Sequence, residues 1–201
     1  MTSIRHNDEP GTDQPTADEA LLDAAREGIL AVGWKRSTLT DVARRAGVSR
    51  MTIYRRWPDM QTLLGDLMTR EWSTLALGRT VADDGPARVR VVRAVSATVA
   101  ALRGNELFRK IVDVDPELLL PYLLDRRGRT QDALLELLAA VVTEGQRDGS
   151  VRAGDATLLA RSVLLTAHGF ALSAGTMTSD AIGLADLDAE LAVLTDHYLA
   201  P

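Results

Sequence analysis

Residues 38–64 read TLTDVARRAGVSRMTIYRRWPDMQTLL, and this stretch decides the fold. Thr38 and Asp41 open a short helix with Leu39, Val42, Ala43 and Ala46 on its inward face, and Gly47 ends it. Only Val48 then precedes Ser49, whose hydroxyl suits an N-cap for a second short helix, Arg50 to Trp57. Pro58 stops that helix. Asp59 can cap a longer one that runs through Leu63, Leu64, Leu67 and Met68 to the neighbourhood of Leu77. Two short helices joined by a tight, glycine-containing turn form the helix-turn-helix pattern.

Upstream, Thr16 and Glu19 stand at capping-box spacing ahead of a run in which Leu21, Ala25, Ile29 and Val32 recur at three and four, closed by Gly33. The segment before it (MTSIRHNDEPGTDQPT, 1–16) is polar, lacks the apolar centre of a secretory signal and reads as a disordered tail. Past Gly85 and Pro86 the helical patterns lengthen, over 87–103, 105–114, 116–125, 129–147, 155–174 and 186–199. Pairs such as Asp115-Pro116 and Asp148-Gly149 punctuate them. No stretch alternates like a strand. The expected fold is all-α: an N-terminal three-helix helix-turn-helix domain over 17–70, then a larger C-terminal helical bundle over 71–201.

The 201 residues, 46% hydrophobic and 25% charged, suffice for a real core in one or two domains. Aromatics are only 4%, so that core must rest on Leu, Val and Ala, which suits packed helices. The absence of cysteine excludes disulfides, thiolate metal sites and cysteine nucleophiles, and suits a reducing cytoplasm. The longest nearly apolar run, Leu134 to Val142, is far short of a membrane span and carries Glu136. A cytoplasmic protein with no membrane partner is expected. The formal charge of −5 hides a contrast, because Lys35 to Trp57 holds seven basic residues and one acid, +6, leaving −11 elsewhere. One basic surface on an acidic protein suits phosphate, although on charge alone a solvated basic face is the simpler reading.

The helix-turn-helix pattern gives that charge a purpose. Ile53 and Trp57 make one side of the second helix apolar, to dock on Leu39 and Val42, while Arg50, Met51, Tyr54 and Arg55 face outward to reach a major groove. Arg50 can donate two hydrogen bonds to a guanine edge, and Met51 can pack on a thymine methyl. Arg44, Arg45 and Arg56 are placed for phosphates, which position a protein without reading sequence. Trp34 and Trp57 read as core anchors under the motif, and Trp72 as part of a hinge between domains rather than of a pocket.

Together these residues resemble the DNA-binding domain of the TetR family of bacterial transcriptional regulators. The resemblance covers nearly all of 17–70 and rests on Thr38-Leu39-Thr40-Asp41-Val42-Ala43, Ala46-Gly47-Val48-Ser49, Thr52-Ile53-Tyr54-Arg55 and the trailing Leu63-Leu64. It implies DNA contact by Thr40, Arg50, Met51, Thr52, Tyr54 and Arg56, with Thr52 and Tyr54 on phosphate and Arg50 and Met51 facing bases. It breaks at Met60, where the family usually places a Lys aimed at the DNA backbone. One phosphate contact per subunit is then missing, and each lost ionic contact lowers the salt slope by about 0.9.

The resemblance further implies a homodimer through the C-terminal domain, with 129–147 and 155–174 as its interface, reading a pseudo-palindrome. The second of these segments is apolar on more than one face (Leu158, Leu159, Val163, Leu164, Leu165, Phe170), as a helix covered from two sides would be. An effector pocket is implied as well. Its candidates are Phe108, Ile111, Tyr122, Leu134, Leu138 and His168, chosen as large or amphipathic residues on inward faces, and the sparse aromatics favour an aliphatic or mixed small molecule.

Neither cofactor nor metal is expected. The three histidines, His6, His168 and His197, lack metal-ligand spacing, and the Asp113-Asp115-Glu117 run lacks the glycine and length of a calcium loop. Gly-rich phosphate loops are absent, and no residues suggest an enzyme. The expected function is therefore a sequence-specific DNA-binding transcriptional regulator, a repressor released from its operator by a small molecule. The alternative is a helical small-molecule-binding protein or enzyme with an incidental basic segment, and steep salt dependence of DNA binding separates the two.

Overall fold

A computed structural model of the chain describes residues 16–77 and 85–201. The tail expected over 1–16 lies outside the described residues, apart from Thr16. Thr16 Oγ1 accepts the Glu19 N–H at 3.2 Å and Glu19 accepts the Thr16 N–H at 2.6 Å, closing the capping box on α1 (Ala17–Val32). Thr38 accepts the Asp41 N–H at 3.1 Å and starts α2 (Leu39–Arg45). Gly47, with φ at 68°, turns the chain in a conformation that a side chain would strain. Ser49 accepts the Thr52 N–H at 3.2 Å to start α3 (Arg50–Arg56), and Asp59 accepts that of Thr62 at 2.7 Å over α4 (Met60–Leu77).

The second half holds α5 (Ala87–Gly104), α6 (Glu106–Val114), α7 (Arg129–Arg147), α8 (Ala156–Ser173) and α9 (Leu184–Leu199), and no strand forms among the described residues. The helix expected over 116–125 is instead a 3-10 turn, Pro116–Leu118, followed by a π turn, Pro121–Asp125. Pro121 has no N–H to give its helical carbonyl, and its ring crowds the preceding turn. The chain responds by widening, so that Arg126 donates to the Pro121 carbonyl at 2.9 Å. The last helix starts at Leu184 rather than 186, with the Asp186 carboxylate accepting the Gly183 N–H at 2.7 Å.

Two cores form, and they do not split at residue 70. The first gathers Leu21, Ala25 and Ile29 of α1, Val42 of α2, Ile53 and Trp57 at α3, and Leu63 and Leu67 of α4, but it is closed by Leu107, Phe108 and Ile111 of α6. The second joins Val91, Val95 and Val99 of α5 to Val142, Leu159, Val163, Leu191 and Leu199. Asp115 ties the halves together: its buried carboxylate accepts the Trp34 N–H at 2.8 Å, while Glu117 pairs with Lys35 at 2.6 Å. The acids at Asp115 and Glu117 therefore dock α6 on the end of α1.

Gly145 sets the closeness of α7 to its neighbours. A Cβ there would overlap Val151 Cγ2 and lie 3.2 Å from Ala87 Cβ. Gly145→Ala should destabilise the chain by about 1–3 kcal/mol, the usual penalty of overpacking, read as a lower midpoint in urea. An unchanged midpoint would show that α5 and α7 separate freely.

Candidate functional site

The seven residues of α3 are too few to hold a helix alone, so tertiary packing must hold it. Ile53 and Trp57 are fully buried, and the Trp57 indole N–H donates to Asp66 Oδ2 of α4 at 2.8 Å. With that side pinned, the opposite face is open. Met51 is 78% exposed and Tyr54 49%, and Arg50 and Arg55 are exposed beside them.

The other candidates are less free. Thr52 is half-buried, its hydroxyl 2.9 Å from that of Ser49, and Thr40 is half-buried in the first turn of α2. Arg44 pairs with Asp41 at 3.2 Å on the exposed surface. Arg45 is exposed along α1, its Nε 3.7 Å from where a Cβ on Gly28 would stand. Arg56 is bound to Asp18 of α1 at 2.7 Å and lies 5.3 Å over the Trp57 ring, which makes it a clamp between α1 and α3. Met60 is half-buried against the first core.

A cavity of about 550 Å³ lies between α4, α5, α7 and α8, within the range of small-molecule sites. Phe108, Tyr122, Leu134 and His168 line it. Ile111 and Leu138 do not: Ile111 is fully buried in the first core, and Leu138 packs on the second. Both point inward, as their helical positions require, but into close-packed regions rather than toward the void. Burial pushes the His168 imidazole below its ordinary value, which keeps it neutral at pH 7.

Trp72, expected at a hinge, also forms cavity wall, edge-on to Phe108 with ring centres 6.2 Å apart. The exposed members of the wall, among them Asp59, Gln61, Thr62, Arg126, Arg127 and Arg129, mark its mouth. That mouth lies where α4 begins, three residues after the C-cap of α3.

Residues 21–67 match the family described as bacterial regulatory proteins, tetR family. An HTH-type transcriptional regulator of Mycobacterium bovis, itself uncharacterised, is 40% identical over 179 residues, 89% of this chain and 92% of that protein. The chain belongs to the TetR family. Among solved structures, this TetR-family fold is similar to a protein of unknown function from Rhodococcus (TM-score 0.69, 26% identity, 96% of this chain and 100% of that one). It is also similar to FadR from Bacillus subtilis in complex with stearoyl-CoA (TM-score 0.66, 19% identity, 90% and 98%). The chain is a helix-turn-helix, DNA-binding transcriptional regulator.

Sequence reasoning passed over Asp66. In this TetR-family chain its carboxylate receives Trp57 from below the recognition helix and Arg129 from the first residue of α7. Burial raises its pKa, but the Arg129 charge and the Trp57 N–H together outweigh this and leave the carboxyl below the usual value. A carboxyl lowered in the folded state contributes stability that is complete above about pH 4 and is lost as the pH falls through the depressed value. Asp66→Asn should therefore be less stable than the parent at pH 7 in urea, with the gap narrowing toward pH 3. A gap independent of pH would assign Asp66 a packing role only.

Proposed function

We propose that the chain is a homodimeric repressor, acting in the cytoplasm, that a small-molecule effector releases from a pseudo-palindromic operator. The observation that carries this reading is a shared wall: the cavity is lined by Asp59, Gln61, Thr62 and Gly65, the opening turns of the helix that anchors α3 through Asp66. A ligand that holds these turns differently shifts the population toward conformers whose recognition helices no longer match the operator spacing. The stearoyl-CoA held by FadR supports reading this cavity as a ligand site, and the fold alone does not carry that ligand over.

One recognition helix offers few base contacts, so operator affinity needs two of them. The apolar surface for pairing lies on α8 and α9, where Leu158, Leu165, Leu184, Val193 and Leu194 are exposed, Leu165 by 71%. Ala156–Met177 is apolar and long enough to cross a membrane by length and composition, and a second copy of the same face would cover it instead. The segment 129–147 fits this role less well than α9. The large apolar residues of α7 are at most half-exposed, because α7 packs inside the chain against α8. The enzyme reading has no answer to the bare face of α3, where Arg50, Met51 and Tyr54 make no hydrogen bond or ion pair with any described residue.

The test is a fluorescence-anisotropy titration of DNA from upstream of the chain's own gene against shuffled DNA, at two salt concentrations. A preference of about a thousandfold, two chains or a multiple per site, and steep loss with salt are expected. Arg50→Ala should weaken binding to the preferred site by about 1–3 kcal/mol and relax its sequence preference. No binding at low salt, or full selectivity without Arg50, would overturn the base-reading role.

Leu165→Glu tests the pairing face. It should shift sedimentation from dimer to monomer and lower operator affinity by at least about tenfold, since a charge buried without a partner is disfavoured by several kcal/mol. A dimer that survives Leu165→Glu would place the interface elsewhere.

A further inference from the structure

The chemistry of the cavity is uneven along its length. Its interior is mostly hydrocarbon: Met68, Val99, Phe108, Leu119 and Ala171 are buried there, beside a neutral His168, buried Thr130 and the Trp72 indole, whose N–H is buried without a partner among the described residues. At about 30 Å³ per heavy atom, the share of a water molecule in the liquid, 550 Å³ holds on the order of eighteen non-hydrogen atoms. The mouth has the opposite character. Arg126, Arg127 and Arg129 stand within four residues, against a single wall carboxylate, Asp59.

That carboxylate is already engaged, accepting the backbone N–H of Thr62 at 2.7 Å and its hydroxyl at 2.8 Å. Arg129 is held by Asp66 and Arg127 by Asp132 at 2.6 Å. Arg126 has no carboxylate partner among the described residues; its guanidinium lies 5.6 Å from the centre of the Tyr122 ring, which leaves its N–H edge for another acceptor. All three extend from the junction of the π turn and α7, whose N-terminal N–H groups add positive potential. A cationic ligand would meet the uncompensated Arg126 here, with no aromatic cage and no wall carboxylate free of a donor. A neutral chain would leave Arg126 to water.

We infer that the cavity takes an amphipathic organic anion, its hydrocarbon part between α4, α5 and α8 and its anionic head at Arg126 and Arg127. This rests on the effector reading and names the ligand class for that site. The head is a carboxylate or a phosphate, either of which accepts paired N–H bonds from a guanidinium. Its arrival at the start of α7 competes with Asp66 for Arg129, and through Asp66 it reaches Trp57.

The experiment uses the full chain and three probes with the same twelve-carbon tail, dodecanoate, dodecanol and dodecyltrimethylammonium, kept below micelle formation and measured by calorimetry. Dodecanoate should bind at least about tenfold more tightly than dodecanol, and the ammonium most weakly. Arg126→Ala with Arg127→Ala, both on exposed side chains, should erase the advantage of dodecanoate and leave dodecanol unchanged, while lysine at both positions restores part of it. Leu134→Trp, which fills the cavity, should block all three, with circular dichroism confirming its helices. Dodecanol or the ammonium binding as tightly as dodecanoate, an advantage that survives the double alanine variant, or no binding by any probe would overturn the proposal. Operator release is scored separately. Release by dodecanol alone would keep the effector reading and sink the anionic head, whereas dodecanoate bound in the cavity without release would keep the anion and sink the effector reading.

Discussion

The molecule depends on how Trp57 is held. A helix of seven residues has too few internal hydrogen bonds to repay its own ordering, so the presentation of Arg50, Met51 and Tyr54 is decided by what lies beneath them. Trp57 provides a large buried ring and Ile53 a second anchor, which fixes rotation about the helix axis. The indole N–H bond to Asp66 then fixes the end of α3 against α4. Leaving that donor without an acceptor would disfavour the arrangement by about 1–3 kcal/mol. Position and rotation of the exposed face of α3 thus follow from two buried residues.

Asp66 also ties the two halves of the molecule together. It receives Trp57 and Arg129 together, and so joins the end of the recognition helix to the rim of the cavity. Phe108 repeats the connection inside the fold, counting in the first core while lining the cavity beside Trp72. A close-packed wall common to both sites does not deform gradually. A ligand that reorders it must change what α4 offers to α3, and the strength of that coupling is limited by the ligand's differential affinity for the two arrangements.

Local chemistry made much of this legible in the sequence. The caps at Thr16, Thr38, Ser49 and Asp59 and the glycines at 33 and 47 act over three or four residues, so reading the chain locally found them and the outward face of α3 that they frame. What it missed depends on long-range meetings. Asp115 lies 81 residues from Trp34 and Asp66 lies 63 from Arg129, and neither partner has a signature of its own. Inward-facing residues presented the same difficulty: Ile111 and His168 each sit on a buried side of a helix, but only the latter meets a void. Pro121 was a local signal for a π turn that the helical periodicity around it concealed.

The basic segment shows most clearly why counting charge differs from placing it. Seven cations lie between Lys35 and Trp57, of which Arg44, Arg45 and Arg56 read from sequence as phosphate contacts. Lys35, however, holds Glu117, Arg44 holds Asp41 and Arg56 holds Asp18, so three of them already have carboxylate partners at the surface. Exposed pairs of this kind contribute little to stability and exchange readily for phosphate, except where the geometry adds a second hold. Arg56 has that second hold in the Trp57 ring, so drawing it toward DNA would disturb the anchor of the helix it is meant to support. Arg50 and Arg55 have no ion pair with any described residue and lie on the face that Trp57 turns outward. The −11 carried by the rest of the chain leaves this segment its most basic stretch. The fold thus separates cations held by carboxylates from the two, Arg50 and Arg55, that it leaves on the exposed face of α3.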